Sequence, residues 1–304
     1  MAALRTADEI RDVNTRYHDV AAASYDTKWG IDFGAVGQAQ VLGKLRKIVG
    51  LELDRGYGRS LEIGAGTGYF SLNLLQTGVV EQATCTDISP GMVARCSQNA
   101  EALGLHVRTA RADAESLPFA PDSFDLVLGH AVLHHLPSLP RALLEFRRVL
   151  RPGGRIAFAG EPSRAGDRLA AVPKRGALML APAWRALIRA ARAAPELPER
   201  PAALDQELER FVDIHAFAPR ELTRAARRAG FDDIEVRGEE LVANWFGWFN
   251  RALETSAEPD DVPRLWRLYA FNGYLFLQRF DERVLEPLLP AAIFYNLLLG
   301  ARKR

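Results

Sequence analysis

The fold is decided by eight consecutive residues, Leu61-Glu62-Ile63-Gly64-Ala65-Gly66-Thr67-Gly68. An apolar run typical of a buried strand ends at Ile63, three glycines follow at alternate positions, and residues 70–75 then have the pattern of a helix. Glycine permits a positive φ and lets a ligand touch the backbone, and the amides that begin a helix favour a polar or anionic group. The GxGxG spacing gives a shorter turn than the GxGxxG of dinucleotide sites, so it suits a nucleoside with a charged tail.

Short apolar runs alternate with helical periods throughout residues 59–159. The predicted strands are Arg59–Ile63, Glu81–Thr86, His106–Ala110, Phe124–Leu128 and Arg155–Ala159, and the predicted helices are Phe70–Leu75, Ser89–Leu103 and Leu139–Leu150. Ser89 is expected to cap its helix, with Pro90 in the first turn. This alternation predicts right-handed βαβ units and an α/β, doubly wound parallel sheet.

The alternation of strands and helices ends after residue 160, where two helical segments, 163–215 and 241–290, separate the remaining core elements. A helix at Pro219–Ala229, a strand at Ile234–Arg237 and a last strand at Ile293–Leu299 complete the core. Both segments leave the sheet at its carboxyl edge, where α/β proteins bind ligands. We therefore expect a helical cover (1–50), core segments (51–162, 216–240 and 291–304), a basic lid (163–215) and an aromatic acceptor cap (241–290).

Two aspartates follow the next two predicted strands. Asp87 lies nineteen residues after Gly68, near the spacing at which a carboxylate meets ribose hydroxyls, and Asp113 is placed to accept a hydrogen bond from an adenine amine. A lone aspartate is more often a helix cap or a solvated loop residue. Three suitable positions after three consecutive strands favour a binding site.

Together these motifs resemble the class I S-adenosylmethionine-dependent methyltransferases. The resemblance covers residues 25–160 and is carried by LEIGAGTGYF, TDIS, RADAESLPFAPDSFDLVLGHAVLHHL and LRPGG, in the family's order. It is strongest to the small-molecule branch that includes quinone and polyketide methyltransferases. The resemblance implies a Rossmann-like, seven-stranded sheet whose last strand is antiparallel, and S-adenosyl-L-methionine as cofactor.

The resemblance also implies roles for individual residues. The methionine tail is expected beside Gly64, Ala65, Gly66 and Gly68, with Glu62 at the family's acidic position and Tyr25 near the cofactor's carboxylate. Asp87 is expected to hold the ribose, Ile88 and Met92 to contact adenine, Asp113 and Ala114 to read its edge, and His130 to lie beside the sulfonium.

The sulfonium is an activated methyl donor, so the protein mainly aligns the acceptor, which supplies up to about 7–11 kcal/mol of barrier reduction. A base is needed only where the acceptor must lose a proton. His130 is our first candidate, and His134 and His135 are alternatives that also fit local packing. Glu161 is either a base or the partner of a nearby arginine. Histidines and carboxylates show no metal-ligand spacing, so no metal is expected.

The two insertions predict where the acceptor binds. Trp245, Trp248 and Phe249 fit either core packing or an apolar acceptor pocket, and His134 and Glu161 are further candidates for acceptor contact. Residues 164–192 hold seven basic side chains and one acid. On a helical wheel Arg185, Arg189 and Arg192 lie opposite Leu180, Trp184, Leu187, Ile188 and Ala191. This pattern fits a solvated helix face or peripheral contact with anionic lipid.

Composition and net charge limit the classes of function that remain. The chain has 304 residues, 48% hydrophobic and 25% charged, with 39 basic against 38 acidic residues, which argues against a nucleic-acid partner. Two cysteines and no signal-peptide pattern predict a cytoplasmic protein that touches membranes at most peripherally. The function predicted is methyl transfer to oxygen or carbon of a hydrophobic small molecule. Alternatives are a protein or RNA methyltransferase and a non-catalytic cofactor-binding module, and the oligomeric state stays open.

Overall fold

The computed structural model describes residues 6–193 and 215–304, in which seven strands alternate with ten α-helices. The strands are β1 (Tyr57–Ile63), β2 (Val80–Asp87), β3 (Arg108–Arg111), β4 (Phe124–His130), β5 (Leu150–Pro162), β6 (Phe231–Glu239) and β7 (Asn296–Lys303). The helices are α1 (Ala7–Ala21), α2 (Tyr25–Trp29), α3 (Ala35–Val49), α4 (Tyr69–Gln76), α5 (Pro90–Ala102), α6 (Leu139–Val149), α7 (Arg164–Ile188), α8 (Pro219–Arg228), α9 (Val242–Glu254) and α10 (Arg264–Phe280).

All seven strands form one sheet in the order β3-β2-β1-β4-β5-β7-β6. β1 pairs in parallel with β2 and β4, β2 with β3, and β4 with β5, whereas the last strand is antiparallel. The predicted fold class is therefore confirmed. The order reverses direction between β1 and β4, and the crevice at such a switch point is where open α/β sheets bind ligands.

The core explains why the central strands are continuously apolar. Leu61, Leu126 and Leu128 are completely buried, and the core also contains Leu45 of α3 and Phe70 of α4. A parallel strand covered on both faces has no solvent side, so its sequence does not alternate between apolar and polar residues.

Several strand boundaries differ from the prediction, including those of β5, β6 and β7. β5 begins at Leu150, immediately after α6, because Leu150 is already extended and the pairing with β4 shifts register between Phe124 and Leu126 instead of breaking. β7 begins at Asn296 because residues 291–293 form a 3-10 turn after Pro290.

The chain divides into two compact units. Of the described residues, 6–161, 215–237 and 298–304 form the first unit, and 162–193 and 238–297 form the second. The second unit consists mainly of α7, α9 and α10, whose shared core includes Ala177, Trp184 and Leu253. Part of the predicted basic lid, residues 194–214, lies outside the described residues. The functions given to both insertions stay predictions.

The faces of α7 differ from those predicted. Trp184 is buried, but Leu180 and Leu187 are exposed, and Arg185 donates to the carbonyl oxygen of Ser256 at 3.3 Å. Arg189 adopts a left-handed conformation and ends the helix, so Arg192 does not continue its face. The wheel also fails because α7 contains two internal prolines, which disturb the 3.6-residue period.

Candidate functional site

A cavity lies in the first unit, at the carboxyl edge of the sheet. Its wall combines the carboxyl ends of β1, β2 and β4 with helices α1 and α2. Eight of the twelve predicted cofactor residues line it, namely Tyr25, Gly64, Gly66, Asp87, Ile88, Asp113, Ala114 and His130. The structure therefore brings together residues that are spread over more than one hundred positions of the sequence.

The glycine-rich turn presents backbone to the cavity. Gly64 and Gly66 have φ angles of +58° and +53°. A Cβ on Gly64 would lie 2.4 Å from Cγ2 of Val132, so no side chain fits there. The Gly66 amide donates to Oδ2 of Asp87 at 2.9 Å, which joins the turn to the end of β2. The geometry leaves room for a ligand group at backbone distance.

Asp87 is buried and tied at both oxygens. Oδ2 accepts from Gly66, and Oδ1 accepts from the amide of Ser89 at 2.9 Å. Ser89 in turn accepts from the amide of Met92 at 3.0 Å, which confirms the predicted cap of α5. Because each carboxylate oxygen has two lone pairs, Asp87 retains acceptor capacity for hydroxyl groups in the cavity.

Asp113 has a partner, Arg11, that the sequence does not predict. Its Oδ2 lies 2.8 Å from Nε of Arg11 on α1, and its Oδ1 accepts from the amide of Glu115 at 2.9 Å. Arg11 also reaches Oε2 of Glu115 at 3.0 Å and itself lines the cavity. A single arginine in an amphipathic helix gives no local signal, so only the tertiary structure places Arg11 in the site.

The other four predicted cofactor residues do not line the cavity: Glu62, Ala65, Gly68 and Met92. Glu62 is fully buried and accepts from the amide of Ser71 at 2.9 Å, so it holds the first turn of α4. Burial raises the pKa of Glu62 to about 7. Met92 packs with Ala21, Ala22 and Tyr25, where α1 meets α2.

His130 lies on the cavity wall at the end of β4. Its ring stacks on Phe70 with centroids 5.1 Å apart and meets Tyr69 edge-on at 5.7 Å. A Cβ on Gly160 would come within 2.8 Å of its Nε2, so the backbone of β5 also confines the ring. The aromatic and backbone contacts fix the position of His130 beside the cavity.

Glu161 anchors the turn that follows β4. Its two oxygens accept from the amides of Val132, Leu133 and His134 at 2.9–3.1 Å, and Oε2 lies 2.8 Å from Nδ1 of His134. Neither Glu161 nor His134 lines the cavity. The structure thus gives this pair a scaffolding position, whereas the predictions gave both residues acceptor contact and Glu161 a further role as a candidate base.

Two other histidines do face the cavity. His135 follows His134 in the anchored turn, and His18 projects from α1, with ring centroids 5.6 Å apart. The sequence predicts His135 only as an alternative base, and no motif around His18 indicates a role in the site.

The predicted acceptor aromatics lie on α9 in the second unit. The Lys174 ammonium is 3.8 Å from the ring centroid of Trp248, and Phe249 packs against the core that contains Trp184. The indole nitrogen of Trp245 is buried without a hydrogen-bond partner among the described residues. None of the three lines the cavity described above.

No metal centre is evident in the part of the chain that the structure describes. Within residues 6–193 and 215–304, no three His, Cys, Asp or Glu side chains are grouped to hold an ion.

Comparison with known proteins defines the class of this domain. Residues 61–158 match the family model described as "Methyltransferase domain". Malonyl-[acyl-carrier protein] O-methyltransferase of Methylococcus capsulatus is 37% identical over 160 residues, which cover 48% of this chain and 56% of that protein. Demethylmenaquinone methyltransferase of Thermus thermophilus is 37% identical over 117 residues, covering 38% of this chain and 53% of that protein.

The fold has a matching solved relative. Phosphoethanolamine N-methyltransferase 2 of Haemonchus contortus, in complex with S-adenosyl-L-methionine, superposes with a TM-score of 0.60 over 99% of this chain and 60% of that chain. Its 16% identity makes this a likeness of fold alone. The chain spans about half the length of the curated relatives it matches. Over residues 61–158 the chain is therefore similar to methyltransferase domains, and the two named relatives are methyltransferases.

Proposed function

We propose that this protein transfers the methyl group of S-adenosylmethionine to oxygen or carbon of a hydrophobic small molecule. The observation that carries the proposal is the pairing of a backbone-lined turn with the buried carboxylate of Asp87 on one cavity wall. We call this turn together with Asp87 the cradle. A Cβ at Gly64 would collide with Val132 on the same wall, and the cradle's donors and acceptors suit an amino-acid tail and a ribose. When bound there, the cofactor supplies an activated methyl group.

The chain's own residues bind and orient. Gly64 and Gly66 admit the tail to backbone distance, Asp87 accepts from ribose hydroxyls, and the Asp113–Ala114 edge meets adenine. The pair formed by Arg11 and Asp113 holds α1 over this end of the cavity. Precise placement of the acceptor against the methyl group is the main contribution to rate, worth up to about 7–11 kcal/mol.

Two histidines are placed to take a proton from an acceptor hydroxyl. His130 and His135 both line the cavity, and imidazole is a general base near neutral pH. Glu161 supports this end of the site by holding the turn that carries His135. The two relatives are named for methyl transfer to malonyl-[acyl-carrier protein] and to demethylmenaquinone, which supports an acceptor with a lipophilic or acyl chain.

Calorimetric titration with S-adenosylmethionine and with its demethylated product tests the cofactor site. Asp87→Ala is expected to weaken binding roughly hundredfold, because losing a charged acceptor of two hydroxyl donors costs about 3 kcal/mol. Glu101→Ala, on the exposed side of α5, is the matched control and should bind as the wild type does. Equal affinities for all three proteins would refute the proposed site. Transfer of labelled methyl from S-adenosylmethionine to lipophilic phenols and quinols tests the reaction.

We also propose peripheral contact with an anionic membrane through residues 164–192, close to a source of lipophilic acceptors. No helix in the described part of the chain is long and apolar enough to cross a membrane. The cluster of basic side chains on and just beyond α7 supports surface contact. Replacing Arg185, Arg189 and Arg192 with Gln should reduce co-sedimentation with anionic vesicles, and unchanged co-sedimentation would refute this contact.

A further inference from the structure

Helix α10 has an apolar face that nothing in the described structure covers. None of its seventeen residues is buried. Leu265, Leu268 and Phe276 are 80%, 43% and 70% exposed, and they share one helix face with Asn272 and Arg279. Soluble proteins do expose single apolar residues, but a row of them along one helix marks an interaction surface.

The opposite face of α10 is firmly packed within the second unit. Trp266 meets Trp184 with ring centroids 5.1 Å apart, and a Cβ on Gly273 would lie 2.7 Å from Cζ of Phe246. Tyr274 donates to Oε2 of the buried Glu240 at 2.9 Å. These contacts fix the rotation of the helix about its axis, so the row that contains Leu265 and Phe276 is the outward face.

The charge of α10 indicates what covers this face. The helix itself has three arginines and no acidic residue, and Arg264 and Arg267 lie in its first turn. Arginine there adds to the positive end of the helix dipole, where acidic residues are normally favoured. Asp260 and Asp261 lie just before it, and Arg267 donates to the carbonyl oxygen of Pro259, whereas Arg264 and Arg279 are exposed. Asp281, just past the last turn, is buried and accepts from the amide of Ala243 at 2.9 Å, so its charge is directed inward.

The arginines of α10 distinguish between possible partners for its outward face. A second copy seated face to face on α10 would bring arginines against arginines. An anionic lipid surface instead accepts the apolar residues below its headgroups and pairs the arginines with phosphate. Helix α7 of the same unit shows the same combination, because Val172, Met179 and Leu187 are exposed alongside Arg175 and Arg189.

We propose that the outward face of α10 is an interfacial membrane anchor, which places Leu265 and Phe276 below the headgroups of an anionic bilayer and Arg264 and Arg279 among the phosphates. The anchor goes beyond the electrostatic contact proposed for residues 164–192, because it requires apolar insertion. It is also independent of methyl transfer.

Co-sedimentation with vesicles tests the anchor, using phosphatidylcholine alone and phosphatidylcholine with about one-third phosphatidylglycerol. Wild type should bind the anionic vesicles, and the double variant Leu265→Ser/Phe276→Ser should bind at least tenfold more weakly. The matched control is Leu144→Ser, which removes an exposed leucine from α6 in the first unit and should bind as wild type does. Binding of S-adenosylhomocysteine and thermal unfolding should be unchanged in the double variant.

A fluorescent label distinguishes insertion from surface contact. With both native cysteines buried, an environment-sensitive thiol dye can be attached to Phe276→Cys or to the control Leu144→Cys. Anionic vesicles should shift the emission of the dye at 276 to the blue and leave that at 144 unchanged.

Three results would overturn the anchor: no binding of wild type to anionic vesicles, equal binding by the double variant, or unshifted emission at 276. Self-association that depends on Leu265 and Phe276, without vesicle binding, would assign the face to a second copy. Loss of vesicle binding only in the triple arginine variant, Arg185→Gln/Arg189→Gln/Arg192→Gln, would leave the contact purely electrostatic.

Discussion

The cavity wall of the first unit and the outward face of α10 in the second unit differ in how their residues are held. The wall is fixed by hydrogen bonds, whereas the helix face presents apolar side chains to solvent. Around the cavity, the buried carboxylates of Glu62, Asp87 and Glu161 each accept backbone amides, so the turns that form its wall are held in place before any ligand arrives. The face of α10 keeps Leu265 and Phe276 in solvent and has no comparable network. A preorganised cradle suits one small ligand of defined shape, whereas an exposed apolar helix face suits a partner without fixed structure, such as a lipid bilayer.

The sharpest test of this contrast is Gly64→Ala in the cradle. The change should destabilise the fold by about 3–4 kcal/mol, since a left-handed residue gains a Cβ in contact with Val132. Gly78→Ala, at a similar φ of +70° but in open space, isolates the backbone cost and should lose only about 1 kcal/mol. Urea unfolding measures both, and equal losses would show that Val132 yields to the methyl group.

Glu62 should make stability depend on pH. Its folded-state pKa of about 7 exceeds the ordinary value of 4.5, so the folded protein keeps a proton that the unfolded chain releases. The stabilisation is therefore complete below pH 4.5 and is lost as the pH rises through 7, by on the order of 3 kcal/mol in total. Glu62→Gln should lose correspondingly less between about pH 5 and pH 8 in urea unfolding. Parallel pH profiles for the two proteins would contradict the shift.

The anchoring role of Glu161 predicts a smaller effect. Glu161→Gln keeps an acceptor oxygen for the amides of Val132 and Leu133 but places an NH₂ group against the amide of His134, where two donors then face each other. We therefore expect the free energy of unfolding to fall by about 2 kcal/mol. Glu235→Gln removes an exposed pair with Arg237 and should change stability by less than about 0.5 kcal/mol. Chemical denaturation separates the two variants, and similar small losses would remove Glu161 from its scaffolding position.

Met179→Gln on α7 should have almost no effect on folding. Its side chain is 78% exposed, so the expected change in unfolding free energy lies within about 0.5 kcal/mol. A loss of unfolding free energy above about 1 kcal/mol would mean that the Met179 side chain is covered in the folded protein. The contrast between an exposed helix surface and the buried cradle would then not hold for α7. Thermal and urea unfolding give the answer.

The sequence predicts the parts of the molecule that short-range physics governs. The strands next to the glycine turn, the cap at Ser89 and the cavity positions of Asp87 and His130 all follow from local patterns. Arg11 could not be predicted because its partner Asp113 is 102 positions away. The hydrogen bonds that Glu62 and Glu161 accept from backbone amides could not be predicted either, because every residue type except proline has such an amide.

The second unit was predicted less well, for a different reason. A helical wheel assumes an uninterrupted period, and α7 breaks that assumption at Pro173 and Pro182 before it ends at Arg189. Leu187 therefore points to solvent, although the wheel placed it on the apolar face opposite the arginines. Exposure of an apolar row on α10 is a property of tertiary packing, which periodicity alone does not reveal.

The strand order has a consequence for synthesis on the ribosome. β7 lies between β5 and β6, yet it follows β6 in the chain. As the polypeptide emerges, β6 has no edge to join until β7 has been translated, and the residues from α9 through α10 appear in that interval. The nascent protein can close the β3-β2-β1-β4-β5 half around its glycine turn early. β6 must then remain unpaired until β7 has been translated, and an exposed strand edge of this kind is prone to aggregation.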